Sequence, residues 1–369
     1  MEGQGFTRRE LFALGALIFL APALRLFPGQ SAAAAGKAAW LTPLCALPLL
    51  IAYARFLAAL LSLRREGEAL PGLILRAAGR PMLALCALWL IFYAAFVLRS
   101  GADRFVGTVF PRASWRVFAE LMGVLALAGA LAGVRALARV GRMLLPLVLG
   151  VLLALLIFAL FDLRVENLWP LRYSDLPGLA RGALLPLDLA AGAAALLCFA
   201  GCAEAKAKDA RRALTLWMLG LCALLTLLAL ALTGRFGHEL TAELSRPFFV
   251  LLRTLRIFRT LERVEALVVM LWIFPDFLAA SLFLRAGSDC LFRLLGAGEK
   301  GLSAKLALQN EKPLIWGCAA AVIGLSLLIA PDAVRLERWS RTLIPAANLV
   351  FCFALLPGVY LLAKAKEKR

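Results

Sequence analysis

Two carboxylates stand where an apolar chain has least use for them. Asp276 follows Pro275 about halfway along one apolar run, and Glu204 closes the stretch Leu196-Leu-Cys-Phe-Ala-Gly-Cys-Ala-Glu204 in another. A bare carboxylate in hydrocarbon is costly, so each is expected to be paired, protonated or hydrated, and each is a candidate for ligand binding or ion coupling. Asp276 shares a helical face with Glu265, Val269, Trp272, Ala279 and Phe283. A second face carries Trp89, Tyr93, Phe96, Ser100 and Asp103, with Arg99 and Asp103 at the four-residue spacing of a helical ion pair. A third starts at Asp188 and runs through Gly192 and Ala195 to Phe199, its small residues admitting a neighbouring backbone.

Rings, small residues and isolated carboxylates suit the binding of a small zwitterion. They do not suit hydrolysis or group transfer. The single histidine, His238, lies between apolar runs, which leaves no histidine-paired nucleophile and no histidine metal cluster within them. No Walker A sequence occurs. The eight cysteines form no CxxC pair, and Cys198 and Cys202, four apart, have no third ligand nearby. No enzymatic activity, cofactor or metal is expected.

The elements that must position these residues follow from composition. Of 369 residues, 63% are hydrophobic and 17% charged, and the mean hydropathy is +0.86. A soluble domain is nearer half apolar and a quarter charged, so the class is a polytopic membrane protein. The net charge of +18 does not mark a nucleic-acid binder, because the basic residues fall between apolar runs, at headgroup level. Thr7-Arg8-Arg9-Glu10 before an apolar run resembles a twin-arginine signal, with Ser31–Ala35 as its cleavage region. With no exported soluble domain downstream, Leu11–Pro28 is read as a retained first span. Ten spans of about twenty residues, the length a bilayer demands, lie near 11–29, 39–62, 82–106, 115–135, 142–161, 183–203, 213–234, 262–285, 313–331 and 341–362. The chain is one integral membrane domain over 1–369, in contact with the lipid bilayer. A slight basic excess in alternate loops, with the Lys206–Arg212 cluster and the Lys364–Arg369 tail, puts both termini in the cytoplasm. The loop 235–261 then lies outside, with Arg253, Arg256 and Arg259 on the polar side of an amphipathic helix.

Two of the ten runs are interrupted, by Ala21-Pro22-Ala23 in the first and by Gly201 in the sixth. Breaks in corresponding positions of two halves point to inverted repeats, about 11–161 and 183–362, around a mid-membrane site. Freed backbone groups there bind a ligand in place of their helical partners. The ligand set expected is Ala21, Pro22, Ala23, Tyr93, Phe199, Gly201, Glu204 and Trp272, with Asp276 as a coupling residue. Gly201 serves equally well to let helices pack closely, and Glu204, beside Lys206 and Lys208, fits a solvated edge.

The chain resembles the B subunits of nutrient germinant receptors of spore-forming bacteria, the GerAB/GerKB-type spore germination proteins. The resemblance is carried by Thr7-Arg8-Arg9-Glu10-Leu11, Ala39-Trp40-Leu41, Asn167-Leu168-Trp169-Pro170, Phe199-Ala-Gly201-Cys-Ala-Glu204, Pro247 and Leu261-Glu262-Arg263-Val264-Glu265, in the family's order and spacing. It implies an all-α amino acid–polyamine–organocation superfamily fold, LeuT-like, with ten helices as a 5+5 inverted repeat and broken helices 1 and 6. It also implies a nutrient-binding subunit, commonly for an amino acid, in the spore inner membrane. Its partners would be an A-type membrane subunit and a C-type lipoprotein subunit. A proton- or sodium-coupled amino-acid transporter of the same fold is the alternative.

Overall fold

The computed structural model describes residues 8–65, 68–110, 112–199, 207–254, 264–296 and 311–367, and every regular element among them is helical. An apolar environment offers backbone groups no partner, so each span must satisfy its own N–H and C=O groups, which a helix does. The long helices are α1 (Arg8–Ala35), α2 (Thr42–Ser62), α4 (Arg80–Thr108), α5 (Trp115–Ala132) and α6 (Val134–Phe161) in the first half. The second half has α7 (Leu176–Gly182), α8 (Leu184–Ala191) and α9 (Ala193–Leu197) as one interrupted span, then α10 (Ala207–Phe236) and α13 (Val264–Leu294). It closes with α14 (Glu311–Leu328) and a last span assembled from α15 (Ala333–Arg341), α16 (Leu343–Val350), a π turn (Phe351–Leu355) and α17 (Leu356–Glu367).

Eight stretches among the described residues are long and apolar enough to cross a bilayer, and one of them, Pro22–Ser62, contains the second half of α1 and all of α2. The 31-residue α13 supplies the remaining helix of the expected ten. Large apolar side chains such as Leu88, Leu121, Val124, Met143, Phe161, Leu216 and Leu361 stay exposed, as a lipid-facing surface requires. Helix starts carry proline where its missing N–H is harmless, at Pro43, Pro71, Pro81 and Pro177. The expected loops hold short helices: α3 (Leu70–Ala78) on one side, and α11 (His238–Glu243) and α12 (Pro247–Thr254) on the other. Of the expected amphipathic helix only α12 is described; Phe248, Leu251 and Leu252 are its buried side, and Arg256 and Arg259 lie outside the described residues.

Helix α1 corrects one expectation. It runs unbroken through Ala21-Pro22-Ala23 and on through Pro28. Pro22 removes one donor from the ladder, but its neighbours Leu20, Leu24 and Phe27 are buried in an apolar core that holds the helix together across it. The sixth span is interrupted, though earlier than expected: its α-helical ladder is interrupted at Ala183 and Gly192, both still with right-handed helical dihedrals, and after Leu197 it tightens so that Cys198 and Phe199 bond three residues back. The expected break at Gly201 lies outside the described residues. The most extensive packing joins α4 to α13 and α2 to α10, the third and eighth and the second and seventh spans. The first of these pairs carries the site.

Candidate functional site

Helices α4 and α13 meet along the two faces read from the sequence. Tyr93, Val97, Ser100 and Arg104 follow one another down α4, and Phe283, Ala279 and Asp276 line α13 opposite them. Ile18, Pro22 and Arg25 of α1, at helical spacing, close the third side of a cavity of about 30 Å³. A second cavity of about 20 Å³ lies between Trp89, Tyr93, Phe283, Ala191, Gly192, Ala195, Asn348 and Phe351. Tyr93 and Phe283 line both. Their rings pack edge to face with centroids 4.6 Å apart, a wall of two aromatic side chains between the compartments.

Polar groups edge each compartment. In the first, Arg104 Nη2 donates to Asp276 Oδ1 at 3.0 Å, both side chains buried. In the second, Asn348 Nδ2 donates to Asp188 Oδ1 at 2.7 Å, joining the last span to the interrupted one. The π turn after Asn348 places Cys352, whose Sγ donates to Ala191 O at 3.4 Å, against the end of α8. Two irregular backbones thus meet beside Gly192, where an added Cβ would stand 2.8 Å from the Phe19 ring. Irregular backbone at membrane depth is tolerated where it is buried in protein or lines a cavity, and π turns recur at functional positions.

Beyond Asp276 the charges continue as a network. Arg99 stands 3.6 Å from Asp103, the pair expected from its spacing, and Asp103 also accepts from Arg246 at 2.6 Å. Arg99 donates through Nε to Ala330 O at 3.1 Å, and its guanidinium lies 3.8 Å from the Trp115 ring centroid. Ala330 presents that carbonyl from a left-handed backbone, φ 49°, at the turn between α14 and α15. Arg25 of α1 reaches Glu337 of α15 at 3.4 Å, and Arg341 holds the other oxygen of Glu337 at 2.8 Å. Arg25 therefore both lines the first cavity and ties α1 to α15 beside it.

The expected ligand residues distribute unevenly over this geometry. Pro22, Tyr93 and Asp276 line the first cavity. Ala23 faces the other way, into an apolar groove between α1, α6 and α10. Trp272 is buried against Phe248 with ring centroids 5.4 Å apart and lines neither cavity, and Phe199 is buried at the end of the interrupted span without lining either. The Ala21 side chain, Gly201 and Glu204 lie outside what is described. Arg25, Arg104 and Asn348 were not singled out in the sequence. Arg104 was discoverable there, since it lies four residues past Ser100 on the face already drawn, and Arg25 lies three past Pro22.

A family model described as spore germination protein matches residues 7–308. No curated protein is significantly similar in sequence. Among solved structures, the chain is similar to the crystal structure of MhsT in complex with L-phenylalanine, at 13% identity and a TM-score of 0.61, over 98% of this chain and 89% of that one. At that identity the likeness establishes the fold: an all-α, LeuT-like membrane protein.

Proposed function

We propose that this chain, which belongs to the spore germination protein family, is the nutrient-sensing subunit of a spore germinant receptor. It has a transporter-like site for a small amino acid at mid-membrane. The observation that carries this reading is the pair of cavities divided by Tyr93 and Phe283, bounded by α1, α4, the broken α8–α9 segment and α13. A zwitterion needs an acceptor for its amine and donors for its carboxylate. Asp188, Asn348 and the backbone around Gly192 offer both beside the second cavity.

The two cavities are smaller than an amino acid, so ligand entry requires the Tyr93–Phe283 wall to swing and join them. That movement is the natural signal. It shifts α4 against α13, and the Arg104–Asp276 pair ties those two helices. Asp276 is the coupling residue in this reading. Phe199, Gly201 and Glu204 stay in the proposed ligand set, with Gly201 and Glu204 outside the described residues. Two inverted five-helix repeats, about 11–161 and 183–362, account for the dominance of the second–seventh and third–eighth packings. Both termini would be cytoplasmic, the membrane the spore inner membrane, and the partners an A-type membrane subunit and a C-type lipoprotein subunit.

A proton- or sodium-coupled amino-acid transporter is the second reading. The contact favouring it is Arg25–Glu337, a breakable bridge from α1 to α15 beside the first cavity, with Glu337 partly exposed. Nutrient titration of spores carrying Tyr93→Ala tests the first reading. The expected result is a nutrient requirement raised at least about tenfold, the equivalent of about 1.4 kcal/mol. An unchanged titration removes Tyr93 from the site, and uptake of the nutrient by proteoliposomes containing this chain alone favours the transporter.

A further inference from the structure

The cavity beside Asp276 has a chemistry that the nutrient reading does not use. Arg104 lines it, with a side chain only 5% exposed. Its Nη2 is engaged by Asp276, but its Nε and Nη1 are buried and donate to nothing among the described residues. Buried guanidinium donors are ordinarily met, because leaving one unmet forfeits its hydration without return.

The charge count points the same way. The ion pairs of this network bring five arginines, Arg25, Arg99, Arg104, Arg246 and Arg341, onto three carboxylates, Asp103, Asp276 and Glu337. Asp103 serves two of the arginines, and Glu337 is shared again with Arg341. Arginine does not deprotonate in proteins, so the surplus positive charge cannot be relieved by losing a proton. Two arginines of the network, Arg25 and Arg104, face the one cavity with a single carboxylate between them.

We propose that this cavity is a binding site for one small monovalent anion, held by an unmet N–H group of Arg104 with Arg25 supplying the second positive charge. The cavity of about 30 Å³ is roughly two to three times what one water needs, which admits a carboxylate head or a halide. It does not admit a whole amino acid, and a tetrahedral sulfate is bulkier than the carboxylate head or halide that it does admit. Nε–H and Nη1–H point to different sides of the guanidinium, so one of them makes a single charge-assisted hydrogen bond to a carboxylate oxygen or a spherical ion. Such an anion arrives as the carboxylate of a larger ligand whose body lies across the Tyr93–Phe283 wall, or as a free halide.

The full chain, purified in nanodiscs, is studied in a buffer whose only anion is the bulky sulfonate HEPES. Sodium acetate, sodium chloride and sodium sulfate are then titrated in at constant sodium, and the thermal unfolding midpoint is read. The expected result is a saturable rise with acetate or chloride, and none with sulfate. A preference for acetate identifies the carboxylate source, and a preference for chloride the free halide. Arg104→Gln abolishes the rise. Because that variant leaves Asp276 alone, Arg104→Met/Asp276→Met is run beside it; it removes the pair as a unit and must also lose the response. Met143→Ala, on the exposed surface away from both cavities, keeps it. No saturable response to either monovalent anion overturns the proposal, as does a response that survives both Arg104 variants. An anion response without binding of any amino acid refutes the nutrient reading and leaves this one standing.

Discussion

Removing one member of the Arg104–Asp276 pair is expected to destabilise the protein far more than removing both. The two side chains are 5% and 6% exposed with 3.0 Å between Nη2 and Oδ1. At an effective dielectric of about 20, charges at that distance attract by about 5 kcal/mol, and most of this is offset by the cost of taking both out of water. The net value of the intact pair is therefore small. Asp276→Ala leaves Arg104 charged, with a third donor unmet beside the two that already lack partners. The expected loss is about 3–5 kcal/mol. Arg104→Met/Asp276→Met removes both charges and fills most of the space, so it is expected within about 1–2 kcal/mol of the parent. Unfolding by SDS titration in mixed micelles, followed by tryptophan fluorescence, measures both. A double variant as unstable as Asp276→Ala, or an Asp276→Ala variant within about 1 kcal/mol of the parent, refutes the reasoning, because the pair would then not be the dry, mutually dependent unit described.

Three further outcomes follow from other parts of the molecule. Asp276→Asn keeps the size and one acceptor but removes the charge, so receptor assembly and nutrient binding persist while spore germination is lost; normal germination at every nutrient concentration makes Asp276 architectural. Gly178→Ala places a methyl group against Ala34 O and 3.2 Å from Ala35 Cα, backbone atoms that cannot rotate away, so the yield of folded protein in detergent is expected to collapse. Glu68, in the loop before α3, takes two bonds from Arg76, at 3.2 and 3.0 Å, and one from the Arg65 N–H at 3.0 Å. Burial pushes its carboxyl up, but these partners outweigh burial and hold it below the usual range. Its contribution is thus present above the ordinary glutamate pKa of about 4.3 and is lost as pH falls through the lower folded value. Hydrogen exchange at the Arg76 amide should accelerate there in the parent and be insensitive to pH in Glu68→Gln once the intrinsic rate is divided out.

Much of this architecture was legible because the bilayer imposes a strict length and polarity on each span. The α4 and α13 faces could be drawn residue by residue, since Tyr93, Ser100, Asp276 and Phe283 recur at helical spacing and helical spacing is all that a continuous span permits. The Arg99–Asp103 pair was legible for the same reason. The continuity of α1 was not. Ala-Pro-Ala reads as a break when only local preference is weighed, whereas the helix is held by burial of Leu20, Leu24 and Phe27 against other helices. Arg104 lies on the face already drawn, but its pairing with Asp276, 172 residues away, leaves no local trace. The same holds for Asn348 and Asp188, 160 residues apart, whose bond depends on two backbone irregularities meeting in space. Trp272 was expected among the ligand residues from its spacing to Asp276, but which neighbour α13 meets at each level, Phe248 at this one, is a tertiary property.

The central claim is that this membrane protein holds a small amino acid between α1, α4, the α8–α9 break and α13. Equilibrium binding of each radiolabelled L-amino acid to the purified full chain in nanodiscs tests it most directly. At least one amino acid is expected to bind saturably at one site per chain, with the affinity falling at least about tenfold in Tyr93→Ala and in Asn348→Ala. Saturable binding that neither substitution weakens, or no binding by any of the amino acids, contradicts it.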